Sequence, residues 1–143
     1  MRFAIVGCGY VADYYLATMP NHPSLELAGV FDRDPDRARR FAAHHGLRCY
    51  RSLEEVLADR GVGLVANLTN PRSHFAVSSA ALEAGKHVYS EKPLATSLPE
   101  AERLVAMAES RGLLIASAPC TVLGEAAQTA WKALREGRVG TPR

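Results

Sequence analysis

A doubly wound α/β fold on a parallel sheet is the class this sequence predicts, and three observations carry it. Short apolar runs alternate with longer amphipathic ones along the chain. Most of the short runs do not alternate apolar with polar residues, which is how strands buried on both faces of a parallel sheet read. Composition agrees: 48% of residues are hydrophobic and only 7% aromatic, which suits helices packed on a sheet better than an all-β sandwich. At 143 residues the chain has the size of one ordinary domain.

The predicted strands are Phe3–Val6, Leu25–Phe31, Arg48–Tyr50, Leu64–Leu68, His87–Tyr89 and Leu113–Ala116. Helices are predicted between and after them, at Val11–Met19, Asp36–His44, Leu53–Asp59, His74–Ala84, Leu98–Arg111 and Gly124–Glu136. Ser52-Leu53-Glu54-Glu55 and Ser97-Leu98-Pro99-Glu100 have the spacing of capping boxes, in which the serine accepts an amide three residues on and the glutamate reaches back. Gly46, Gly61, Gly85, Gly112 and Gly137 each follow a helical stretch, where a left-handed residue closes the last turn.

The first strand runs into Val6-Gly7-Cys8-Gly9-Tyr10-Val11-Ala12, a G-x-G-x-x-A pattern. Gly7 permits the tight turn, Gly9 lets a pyrophosphate approach the backbone, and Ala12 lets the helix pack closely on the strand. The first helical turn, Tyr10 and Val11, offers free amides and a positive dipole end to phosphates. Glycine-rich turns are common, but this one follows a strand and opens a helix. The second strand then ends in Phe31-Asp32, about twenty residues past Ala12, where a dinucleotide-binding (Rossmann) fold places its ribose-binding acid. A carboxylate there accepts from the ribose hydroxyls and repels a 2′-phosphate, which favours NAD; the alternative is that Asp32 only starts a turn with Asp34-Pro35. Arg33 beside it either pairs with a 2′-phosphate, so that NADP is tolerated, or is an ordinary exposed arginine.

Other classes find less support. The net charge is +2 with no basic stripe, which argues against nucleic acid. The cluster Arg33, Arg37, Arg39 and Arg40 reads as a solvated helix face, with a phosphate site as the alternative. Cys8, Cys49 and Cys120 are odd in number and fit no metal or CxxC spacing; Cys49 and Cys120 read as buried, reduced thiols. The start, Met1-Arg2-Phe3-Ala4-Ile5-Val6, is too short for a signal-peptide core, and no run is long enough to span a membrane, so a cytoplasmic location is expected.

Three further segments complete a pattern: Asn67-Leu68-Thr69-Asn70-Pro71-Arg72-Ser73-His74, Gly85-Lys86-His87-Val88-Tyr89-Ser90-Glu91-Lys92-Pro93-Leu94-Ala95, and Gly137-Arg138-Val139-Gly140. With the glycine fingerprint they resemble the Gfo/Idh/MocA family of oxidoreductases across essentially the whole chain. The resemblance implies a Rossmann domain over residues 1–120, then, over 121–143, a helix and the start of a connection to an antiparallel-sheet substrate domain that this chain does not contain. It implies NAD, with NADP possible, a sugar, inositol or related polyol oxidised at a hydroxyl or reduced at a ketone, and a homo-oligomer in full-length form. Lys92 matches the family lysine near the reacting carbon, where an ammonium stabilises developing charge on oxygen, and Glu91 adjoins it with a carboxylate able to pair with that ammonium. Thr69, Asn70 and Pro71 match the segment flanking the cofactor, with Asn70 where the family usually has threonine, and His74 matches the family histidine three residues past the proline. Hydride transfer from a hydroxyl also needs a base for the O–H proton, which the family usually keeps in its second domain; this chain alone is therefore expected to bind cofactor but not to turn over. A redox-neutral, NAD-retaining lyase or hydrolase of the same family and a non-enzymatic dinucleotide sensor remain the alternatives.

Overall fold

The computed structural model describes residues 1–118 and 121–140. Cys120, expected to be buried, and the terminal Thr141-Pro142-Arg143 lie outside the described residues. Five strands form one parallel sheet: β1 (Arg2–Val6), β2 (Glu26–Phe31), β3 (Leu64–Asn67), β4 (His87–Ser90) and β5 (Ile115–Ser117), in the order β2-β1-β3-β4-β5. The helices are α1 (Tyr10–Thr18), α2 (Pro35–His45), α3 (Leu53–Ala58), α4 (Pro71–Glu83), α5 (Leu98–Ser110) and α6 (Glu125–Arg135).

Side chains of β1 leave the strand alternately to two cores, as the period of a strand requires. Phe3 and Ile5 pack with Ala12 of α1 and with Phe41 and Ala42 of α2. Ala4 and Val6 pack with Val56 of α3, Ala81 and Leu82 of α4, and Leu104 and Ala108 of α5. Both faces of the central strands are thus covered, which is why their sequence reads as nearly continuous apolar runs. The chain leaves β1 toward β2 on one side and resumes at β3 on the other. The crevice at that reversal, outside the carboxyl ends of the strands, is where such sheets bind ligands.

Several helix ends follow from local chemistry. Asp34 caps α2: its carboxylate accepts the amides of Asp36 at 3.0 Å and Arg37 at 3.1 Å, and the Arg37 amide foremost holds Asp34 below the ordinary carboxylate range. Ser52 caps α3 by accepting the Glu55 amide at 3.2 Å, but Glu55 reaches the Arg51 amide, at 2.7 Å, and not that of Ser52. The second capping box does not form. Ser97 makes no side-chain cap, and Thr96 instead donates to Glu100 at 3.1 Å. Helix α4 begins at Pro71, three residues before the predicted start, because a proline at the first helical position is already set to the right φ and lacks only an amide that would go unpaired. Gly46, Gly85, Gly112 and Gly137 are left-handed as expected; Gly61 is not, and its amide donates to Asp59 at 2.8 Å.

The predicted strand Arg48–Tyr50 is reduced to a single bridge between Cys49 and Val30. The Val30 amide donates to Arg48 and the Tyr50 amide to Val30, both at 2.9 Å, and the chain then turns into the Ser52 cap. The side chains of this segment are engaged elsewhere: Arg48 and the Tyr50 hydroxyl both donate to Asp59, at 3.0 and 2.7 Å. The segment carrying Lys92 therefore follows the fourth strand of the sheet, not a fifth. Among the described residues no helix is long and apolar enough to cross a membrane. Helix α6 buries none of its residues, and Trp131 on it is exposed.

Candidate dinucleotide site

A cleft of about 420 Å³ opens at the carboxyl edge of β1, β2 and β3, within the usual range for small-molecule sites. Gly7, Gly9, Tyr10 and Val11 line it from the glycine loop and the start of α1, Asp32, Arg33 and Arg37 from the end of β2 and the start of α2, Thr69 and Asn70 from the loop after β3, and Ser73 from the first turn of α4. The apolar wall includes Leu53, Leu68 and Val77.

The loop's two glycines do different work. Gly7 has φ +104°, and a Cβ there would stand 2.6 Å from the carbonyl group of Leu68, so the backbones of the β1 and β3 loops touch only because the side chain is missing. Gly9 has ordinary φ, and a Cβ there would meet nothing within 4 Å: it faces open space at the cleft, a cradle that a side chain would fill. Gly9 is also the N-cap of α1 and supplies no capping side chain, leaving the helix's first amides free of side-chain competition. Ala12, without exposed surface, lies behind the loop in the core.

Asp32 is buried, with 7% of its surface exposed. Its Oδ2 accepts the Cys8 amide at 2.9 Å, and its Oδ1 accepts the Asp34 amide at 2.8 Å and faces Arg37 at 3.5 Å. A carboxylate has about four acceptor positions, so Asp32 can hold the loop and still take a donor from the cleft. Its charge and burial together push the neighbouring Cys8 thiol up to about 12, burial contributing most, which keeps that thiol neutral inside the loop.

The opposite wall rests on a buried polar network. Asn67, at the end of β3 and wholly buried, donates to the His74 carbonyl and to the Ser78 hydroxyl, each at 3.0 Å, and accepts from the Thr69 hydroxyl at 2.7 Å. His74 also has no exposed surface; its ring nitrogens contact the carbonyl oxygens of Pro93 at 2.6 Å and Thr69 at 3.0 Å. It stands behind the cleft wall and not in it. Pro71 with Arg72, Arg33, Asn70 and Ser73 borders a shallower adjoining hollow.

Glu91 and Lys92 lie beyond the carboxyl end of β4, outside the cleft lining. Glu91 does not pair with the Lys92 ammonium: one oxygen accepts the Lys92 backbone amide at 3.1 Å and the other the Tyr15 hydroxyl at 2.9 Å. Spacing alone cannot separate a carboxylate's reach for its neighbour's ammonium from its reach for that neighbour's amide. Ser73 and Tyr15 carry no site signal in the sequence, whereas Arg37 belongs to the basic cluster for which a phosphate site is the alternative reading. Arg37 had a signal, lying one helical turn past the Asp34 cap and so on the side of α2 that faces Asp32.

Comparison with known proteins decides what this cleft belongs to. The family model described as "Oxidoreductase family, NAD-binding Rossmann fold" (GFO_IDH_MocA) matches residues 1–118. The chain belongs to the Gfo/Idh/MocA family of oxidoreductases. It is 33% identical over 143 residues to the UDP-N-acetylglucosamine 3-dehydrogenase of Acidithiobacillus ferrooxidans, a match that covers 100% of this chain and 43% of that one. A 3-ketoreductase from Actinomadura kijaniata, solved with TDP-benzene and NADP, superposes with a TM-score of 0.90 at 32% identity, over 100% of this chain and 44% of its own. The WlbA dehydrogenase from Bordetella pertussis, solved with NADH and UDP-GlcNAcA, gives 0.90 at 28% identity, over 98% and 44%. This member of the family thus spans less than half the length of these relatives.

Proposed function

We propose that this chain binds NAD(P) along the crevice between β2, β1 and β3 and serves an oxidoreductase acting on the hydroxyl or ketone carbon of a sugar or related polyol. The observation that carries the reading is the convergence, on one cleft, of an open glycine cradle at Gly9, a buried acceptor at Asp32 and the supported Thr69–Asn70 wall. The strand order β2-β1-β3-β4 supports one direction for the cofactor. Asp32 at β2 takes the adenosine ribose, Gly9 with the amides of Tyr10 and Val11 at β1 takes the pyrophosphate, and the nicotinamide half extends past β3 toward β4 and Lys92. When bound, the nicotinamide supplies or accepts the hydride.

The chain's own groups bind, orient and stabilise. Apolar Leu53, Leu68 and Val77 exclude water from one wall of the cleft. Lys92, exposed beyond β4, presents a donor to a substrate oxygen that gains negative charge as a hydroxyl carbon is oxidised or a ketone reduced. Nucleotide-linked sugars are the substrates to try first, because the names of the relatives above carry UDP- and TDP-linked compounds. Calorimetric titration of the chain with NAD and NADP tests the first half of the proposal. In a form of the protein with measurable turnover, a panel of nucleotide sugars and free polyols, followed by the appearance of reduced nicotinamide, tests the second. Absence of dinucleotide binding by the folded chain would overturn both.

A further inference from the structure

The turn that carries Lys92 is held from both faces of the sheet. From the α1 face, the half-buried Tyr15 donates its hydroxyl to Glu91 at 2.9 Å, and Glu91 in turn accepts the Lys92 amide at 3.1 Å. Burial and the Glu91 carboxylate push the Tyr15 hydroxyl well above its ordinary range, so it remains a donor. From the α4 face, Nδ1 of the buried His74 lies 2.6 Å from the Pro93 carbonyl. A carbonyl oxygen can only accept, so at whichever of its two carbonyl contacts the ring carries a proton, the ring nitrogen is the donor. The other nitrogen of the same ring faces Thr69, whose side of the loop lines the dinucleotide cleft. The two holds bracket Lys92, one at its own amide and one at the carbonyl of the next residue, and both come from distant segments of the chain, 76 and 19 residues away. Neither Tyr15 nor His74 lines the cleft itself.

We propose that Tyr15, acting through Glu91, and His74 are positioning residues that fix the Lys92 backbone against the nicotinamide end of the cleft. The proposal rests on the placement of Lys92 given under Proposed function. A lysine side chain is long and rotamer-rich, and its ammonium finds a reacting oxygen reproducibly only if its backbone is fixed. Because His74 contacts both Thr69 and Pro93, it ties that backbone to the wall that receives the cofactor. A purely structural role would stabilise the fold without setting where Lys92 stands relative to a bound dinucleotide.

The test reads that position directly. The chain is exposed to a trace of an amine-acylating reagent, and the rate at Lys92 is measured by mass spectrometry against the exposed Lys132, with saturating NAD, with saturating ADP and with neither. In the wild type, NAD protects Lys92 and ADP, which lacks the nicotinamide half, does not. In Tyr15→Phe and His74→Phe, ADP still binds, and protection by saturating NAD falls by about fivefold, the factor that one net hydrogen bond supplies. Tyr15→Phe removes a single oxygen from a half-buried ring and decides the matter if His74→Phe does not fold. Unchanged NAD protection in the folded variants would overturn the positioning role alone. A wild type in which NAD leaves Lys92 unprotected would overturn the placement of Lys92 and this proposal with it.

Discussion

Asp32 and Cys8, 24 residues apart, are joined by a 2.9 Å bond from the Cys8 amide to the Asp32 carboxylate. The acid at the end of β2 therefore shapes the glycine loop as well as lining the cleft. Backbone amides thus hold both oxygens of Asp32, the second through the Asp34 amide.

That fixed carboxylate sets the first prediction. A 2′-phosphate beside a buried, immobile negative charge meets like-charge repulsion, and the nearby Arg37 offsets it only at a distance of 3.5 Å. NAD is expected to bind more tightly than NADP, by about tenfold or more, and Asp32→Ala to narrow or invert the ratio. Calorimetric titration of both dinucleotides measures it. A wild type preferring NADP would transfer the deciding role to Arg33.

The two loop glycines should fail differently. Gly9→Val is expected to fold normally, since its Cβ meets open space, and to lose dinucleotide binding because the side chain occupies the cradle. Gly7→Ala should lose stability first, by about 2 kcal/mol or more, because its Cβ drives into the Leu68 backbone at a φ that side chains avoid. Urea denaturation and dinucleotide titration of the two variants separate the outcomes.

Asp59 provides a pH prediction. Its carboxylate accepts from the Tyr50 hydroxyl at 2.7 Å, from the Gly61 amide at 2.8 Å and from Arg48 at 3.0 Å. The Tyr50 bond, first among these, holds it below its ordinary value of 3.8. A carboxyl lowered by folding contributes stability that is complete above the unfolded value and is lost as pH falls through the folded one. Asp59→Ala should therefore destabilise at neutral pH by about 2 kcal/mol, leaving the buried Tyr50 hydroxyl unpartnered, and the gap from wild type should shrink below pH 3.8. Urea unfolding at neutral and acid pH gives the comparison.

The catalytic prediction concerns Lys92. Lys92→Met, in a protein with measurable turnover on its sugar substrate, is expected to lower kcat by about two to three powers of ten while the affinity for NAD changes little. Steady-state kinetics and direct titration read the two halves. Turnover equal to wild type would make Lys92 a solvent-facing lysine after a strand.

Sequence by itself determined the fold class, the glycine loop and the acid at the end of β2. Each depends on local chemistry: β1 is apolar on both faces, Gly7 and Gly9 have no side chain, and Asp32 ends a strand whose length is set by its apolar run. The tertiary structure decided the rest, because the deciding partners are distant along the chain. Arg48–Tyr50 has strand-like residues, yet the pull of Asp59 and the Ser52 cap leave it one bridge. Ser97 has the spacing of a cap, yet Thr96 takes the glutamate. His74 sits in a recognisable motif, but only packing places its ring between the carbonyls of Thr69 and Pro93. Tyr15 carried no signal, since a tyrosine on an amphipathic helix reads as core until the fold brings Glu91, 76 residues away, to its hydroxyl. Periodicity and turn chemistry are properties of neighbours in sequence; which buried donor meets which acceptor is a property of neighbours in space.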